Sequence, residues 1–136
     1  MNMNDWIYYG VFFSPETKRF LIDRAKDIVD IPEDWKLYGD HMTIIFNDGI
    51  EEKNIQAKAL DNVLGWKQQL RITSIGISEE AIAFAVGNYA TQNKQSHITI
   101  AVAPGSKPVK SNEIKNWTPI IGFYVTGKLG KISKKK

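Results

Sequence analysis

At 136 residues the chain has room for one ordinary domain with a buried core and is too short for two independent ones. Its 43% hydrophobic and 24% charged residues are globular averages, which excludes disordered and fibrous classes. The longest apolar runs, Trp6–Phe13 and Ile98–Ala103, fall far short of the roughly 18–20 residues of a membrane span. A net charge of +3 suits an anionic partner without choosing nucleic acid by itself.

The opening Asp5–Phe13, rich in aromatic and β-branched residues, predicts a strand. The start MNMNDW lacks the basic and apolar regions of a signal peptide. With no cysteine for disulfides, a reducing, cytoplasmic setting with no membrane partner is expected. Next, Ser14 can cap a helix that Pro15 begins, with Phe20, Leu21, Ala25 and Ile28 recurring at helical spacing. His41–Phe46 predicts a second strand, closed by the turn residues Asn47, Asp48 and Gly49. Glu51–Leu64 predicts a short helix with Ile55, Ala59, Leu60 and Val63 on one face. Lys67–Ile77 and the run AIAFAV, separated by Ser78–Glu80, predict a hairpin of core strands.

A loop over Asn88–Ser96 leads to a strand at His97–Ala103, then the loop PGSKPVKSN and a helical turn across Glu113–Trp117. Gly122–Ile132 supplies the last strand, and residues 131–136 read as a basic, solvated tail. No composition shift marks a linker, so residues 1–136 are expected as a single α+β domain, richer in strand than helix.

The chain has two histidines, and each stands two residues before a threonine, in HMTI at 41–44 and HITI at 97–100. With seven threonines in 136 residues, one such coincidence has a chance of roughly one in twenty. Strand alternation puts His41 with Thr43, and His97 with Thr99, on one face about 7 Å apart, while Met42, Ile44, Ile98 and Ile100 face the core. If the two strands lie in one sheet, two imidazoles and two hydroxyls converge. That set suits a phosphodiester: one neutral imidazole takes a proton from water or a 2′-hydroxyl, and the other, as imidazolium, protonates the departing oxygen. The threonine hydroxyls can donate to non-bridging oxygens. Metal binding by the same histidines is disfavoured, because no cysteine or carboxylate stands at ligand spacing and Asp40, adjacent to His41, should face the other way.

With these two words the sequence resembles the 2H phosphoesterase superfamily, named for two H-x-[ST]-x motifs that His41–Ile44 and His97–Ile100 match without substitution. The resemblance covers most of the chain and implies a bilobal α+β fold, with two antiparallel sheets around a central cleft and helices outside. GSKPVKSNEIKNW is further similar to the loop after the second motif in the cyclic phosphodiesterase domain of fungal and plant tRNA ligases and their bacterial and phage relatives. The resemblance implies that His41 and His97 are general acid and base in either order and that Thr43 and Thr99 hold the phosphate. It also implies no metal or other cofactor. The implied substrate is a 2′,3′-cyclic phosphate RNA end, a cyclic mononucleotide, or a cyclic oligonucleotide of the kind phages destroy to silence bacterial defence.

Softer candidates for substrate contact are Lys107, Lys110, Ser111 and Asn112 in the loop after the second motif, with Ser111 and Asn112 also placed to cap the next turn. Tyr9 and Tyr124 are candidate base-stacking rings, alternation allowing only one of Tyr8 and Tyr9 to face the cleft. No obligate protein partner is inferred. The rival readings are a non-catalytic RNA- or nucleotide-binding domain of the same fold, and an interaction domain in which the two histidines lie apart.

Overall fold

The computed structural model describes residues 5–134. Strand β1 (Trp6–Phe12) is followed by Ser14, whose side chain accepts a hydrogen bond from the Thr17 backbone N–H. Pro15 takes the first helical position, where its missing N–H has no intrahelical partner to lose. Helix α1 (Pro15–Ile28) buries Leu21, Ile22 and Ala25, while Phe20 and Ile28, expected on that face, lie at its margins. A two-residue strand β2 (Lys36–Leu37), unforeseen in the sequence, precedes β3 (His41–Phe46). Helix α2 (Glu51–Leu60) stops short of Leu64 because the chain tightens into a 3-10 turn at Asp61–Val63. Its inward face is Asn54 and Ala57, not Ile55, which is 65% exposed. Asn54 accepts from the buried indole N–H of Trp6 at 2.7 Å, so satisfying a buried donor sets the rotation of this helix.

Strands β4 (Lys67–Ile77) and β5 (Ala81–Val86) form the expected hairpin, its turn closed by the Ser78 hydroxyl accepting from the backbone N–H of Glu80 and Ala81. β6 (His97–Val102) follows. The helical turn expected at Glu113–Trp117 lies earlier, as a 3-10 segment at Pro108–Glu113 begun by Pro108. β7 (Trp117–Ser133) is correspondingly longer than foreseen. The last six residues, expected as a tail, are strand as far as Ser133; residues 135–136 lie outside the described part.

The class is α+β. The strands, expected as two sheets, run as one antiparallel sheet in the order β2-β6-β5-β4-β7-β1-β3. The long partners β4 and β7 join the two halves, with a register shift between Ile72 and Ser74. Such irregularities raise local twist, and the sheet curls until β3 lies against β6. The loop between β5 and β6 straps the two: the Gln92 backbone N–H donates to Ile44 O at 2.8 Å, and its side-chain oxygen accepts from Phe46 N–H. One face of the sheet holds the core, where Val11, Met42, Leu70, Phe84 and Ile98 pack with Leu21 and Ala25 of α1 and Ala57 of α2. No described helix is long and apolar enough to cross a membrane.

Candidate functional site

Alternation sorts both motif strands. Met42, Ile98 and Ile100 are fully buried and Ile44 nearly so, which turns His41, Thr43, His97 and Thr99 to the other face. All four line one cleft of about 490 Å³. The histidines, 56 positions apart in the chain, are near enough that charge on His97 disfavours charge on His41.

The two imidazoles are held differently. His97 Nδ1 lies 2.8 Å from the carbonyl oxygen of Gln95. A carbonyl can only accept, so Nδ1 carries the proton and Nε2 is the nitrogen that titrates. Burial holds His97 below the ordinary imidazole value, with the Gln95 bond acting weakly in the opposite direction. His41 is also pushed down, first by burial; the Asp40 carboxylate raises it and His97 lowers it. Its ring lies against Tyr8 and Phe12, at centroid distances of 5.0 and 5.5 Å, and Tyr8 stacks in turn on Phe46. The Phe12 ring covers Gly130, where a Cβ would meet it at 3.0 Å, a tight approach that would make the ring shift by a few tenths of an ångström. His41 Nε2 is 3.2 Å from Thr43 Oγ1.

Thr99 Oγ1 sits 2.9 Å from Ser111 Oγ. Ser111, expected at the substrate, is 1% exposed and stands behind Thr99. Asn112 lines the cleft, and Lys107 and Lys110 do not. Lys110 is held by Glu113 at 3.2 Å and Glu80 at 3.9 Å, and its pKa is raised, chiefly by the Glu113 hydrogen bond. Their loop gives the cleft the apolar wall of Pro108 and Val109 instead.

Of the adjacent tyrosines, Tyr8 faces the cleft and Tyr9 the core. Tyr9 is 2% exposed, packs edge-on against Trp6 and donates its hydroxyl to Asp61, an arrangement that raises its pKa through burial and that bond. Tyr124 lies outside the cleft, across from Arg71 on the exposed face of β7. Asp40, expected on the opposite face, lines the cleft. It precedes the first residue of β3, where alternation does not yet hold, and pairs with Lys18 at 2.9 Å.

Sequence reasoning settled on Tyr9 where Tyr8 faces the cleft, and it missed Tyr38, Phe46, Lys53, Gln92 and Asn93 among the lining residues. Lys53 reaches the cleft from α2 and pairs with Asp48, whose carboxyl it holds below the usual range. The Asn47–Gly49 turn just before this lysine was the one available signal; nothing marks Gln92 or Asn93. Among the described residues no group of three or more histidine, cysteine, aspartate or glutamate side chains is placed to hold a metal ion.

No family model matches the chain, and no curated protein matches it. Among solved structures it is similar to a crystal structure of a fungal RNA kinase, with a TM-score of 0.65 and 17% identity over 99% of this chain. The chain spans 47% of that structure's length, and at this identity the likeness is one of fold.

Proposed function

We propose that the chain is a 2H-type phosphodiesterase acting, without a metal ion, on a 2′,3′-cyclic phosphate RNA end, a cyclic mononucleotide or a cyclic oligonucleotide. The observation that carries the reading is the convergence of His41, Thr43, His97 and Thr99 on one cleft, with His97 fixed in a single tautomer by Gln95. The fold shared with a fungal RNA kinase favours RNA among these substrates.

Neutral His97 is the base. Its Nε2 takes a proton from water as the water oxygen attacks phosphorus. His41 is the acid: burial lowers its pKa as it lowers that of His97, but at His41 the Asp40 carboxylate offsets part of that effect, and no carboxylate does so at His97. It passes its Nε2 proton to the ribose oxygen as that P–O bond breaks, so one water is consumed and the two histidines exchange protonation states. Solvent resets them. Thr43 and Thr99 donate to the non-bridging oxygens; in the free protein Thr99 donates to the Ser111 hydroxyl, and on binding its proton turns from Ser111 to the phosphate.

The test is turnover of a panel of cyclic mononucleotides, cyclic dinucleotides and cyclic-phosphate RNA oligomers with chelator present, using wild type, His41→Ala and His97→Ala. Turnover by wild type and its loss in both variants is expected. Substrate binding that survives in both variants, with no turnover by wild type, would establish the non-catalytic binding domain; turnover that vanishes with chelator would establish a metal enzyme.

A further inference from the structure

The cleft is one end of a longer surface. Directly opposed residues of neighbouring strands share a face. His41 opposes Phe12, Phe12 opposes Lys128, and Lys128 opposes Lys67. This row leaves the histidine and crosses β3, β1, β7 and β4, about 14 Å at three strand spacings of about 4.8 Å. Further along the same face Tyr124 opposes Arg71. The two lysines and the arginine are exposed, and Tyr124 is 56% exposed. Both helices pack on the other side, with the core.

The charge on this face is of one sign. Strands β1, β4 and β7 contain no aspartate or glutamate. Among the described residues none of Lys67, Arg71 and Lys128 is ion-paired, in contrast with Lys18, Lys53 and Lys110. Lys67 and Lys128 stand directly across from each other, an unfavourable pairing for a bare surface and a favourable one under a polyanion.

We propose that the open face of β1, β7 and β4 carries a single-stranded RNA whose cyclic-phosphate end occupies the cleft, which makes a polymer end, rather than a free cyclic nucleotide, the preferred substrate. The inference rests on the phosphodiesterase reading for what lies at the histidines. Phe46 and Tyr8 take the terminal base, and Lys128 and Lys67 meet the next phosphates upstream. Tyr124, beside the Arg71 guanidinium, offers a stacking ring further along. A membrane surface would also meet cations and rings, but it could not follow a curled sheet into a cleft.

The experiment compares binding of a fluorescent RNA pentanucleotide with a 3′-phosphate, which is not a substrate, against the mononucleotide 3′-phosphate, with turnover of the matching 2′,3′-cyclic phosphates measured in parallel. The pentanucleotide is expected to bind at least about tenfold more tightly. Its log affinity should fall with log salt at a slope of about −2, as three phosphate contacts on a single strand give. Lys67→Glu/Arg71→Glu/Lys128→Glu should bring the ratio to about one, and the matching triple glutamine variant should lie between, with thermal melts confirming that both are folded. Equal affinity for the two ligands, or a triple glutamate variant that is folded and keeps the ratio, overturns the inference. Salt-dependent pentanucleotide preference without turnover of either cyclic phosphate removes the catalytic reading and leaves the surface standing.

Discussion

The two H-x-T motifs are the same four-letter word on two strands, yet the protein surrounds them differently. His97 is buried, with its ring tied to the Gln95 carbonyl and its threonine backed by the enclosed Ser111. His41 is more open, set against the Tyr8 and Phe12 rings with its nitrogen near its own threonine and Asp40 close by. A chemically symmetric pair is made unequal by what stands behind it: a fixed tautomer suits a base, and a neighbouring carboxylate suits an acid.

The largest effect should come from removing either imidazole. His41→Ala and His97→Ala are each expected to lower kcat by about 10²–10⁴ on an RNA cyclic phosphate. A p-nitrophenyl phosphodiester, whose leaving group needs no proton, separates them: His41→Ala should recover most of its loss and His97→Ala should not. Recovery in the His97 variant instead would reverse the roles.

Next in size is the support behind Thr99. Ser111→Ala leaves that hydroxyl without its fixed partner, and about a tenfold loss in kcat with little change in KM is expected, with about 1 kcal/mol of stability lost in a denaturant melt. Among the described residues no comparable buried hydroxyl backs Thr43, so the asymmetry is sharpened if substitutions around it act mainly on KM.

Asp40→Asn is expected to cost severalfold. Asp40 raises the pKa of His41, so its loss lowers that pKa further and moves the alkaline limb of the kcat/KM profile to lower pH. Because both histidines titrate below 6.5 in the free protein, the wild-type optimum in kcat/KM should itself lie on the acid side of 6.5.

The smallest effect is on folding. Both imidazoles have folded pKa values below the unfolded one, so between those values the unfolded chain binds more protons. Stability is therefore full above about pH 6.5 and declines as pH falls through the folded values, and the drop in Tm from pH 7 to pH 5 should be smaller in His97→Ala than in wild type.

Period-two alternation was enough to read which motif residues leave the core, because in HMTI and HITI the two faces differ in polarity. Ser14 and Pro15 marked the start of α1 because capping is local chemistry. Tyr8 and Tyr9 defeated the same reasoning: two aromatic neighbours leave the phase of a strand open, and the register of β1 against β3 shifts between Tyr9 and Gly10. The placing of Lys110 outside the cleft lining was legible, since Glu113 stands three residues on and could claim it. Gln92 and Lys53 reach the cleft only through the curl of the sheet, which depends on long-range pairing between β4 and β7. The turning of α2 toward Asn54 likewise depends on a tryptophan 48 residues away.

The central claim, two imidazoles serving one phosphate from opposite walls, is tested most directly by nitrogen–proton NMR of the two histidines as a nucleotide 3′-phosphate is added. The account predicts titration midpoints below 6.5 in the free protein, a His97 ring protonated at Nδ1 in its neutral form, and a rise of both midpoints together on saturation. A ligand that moves one histidine and leaves the other untouched, or a His97 neutral form protonated at Nε2, would contradict it.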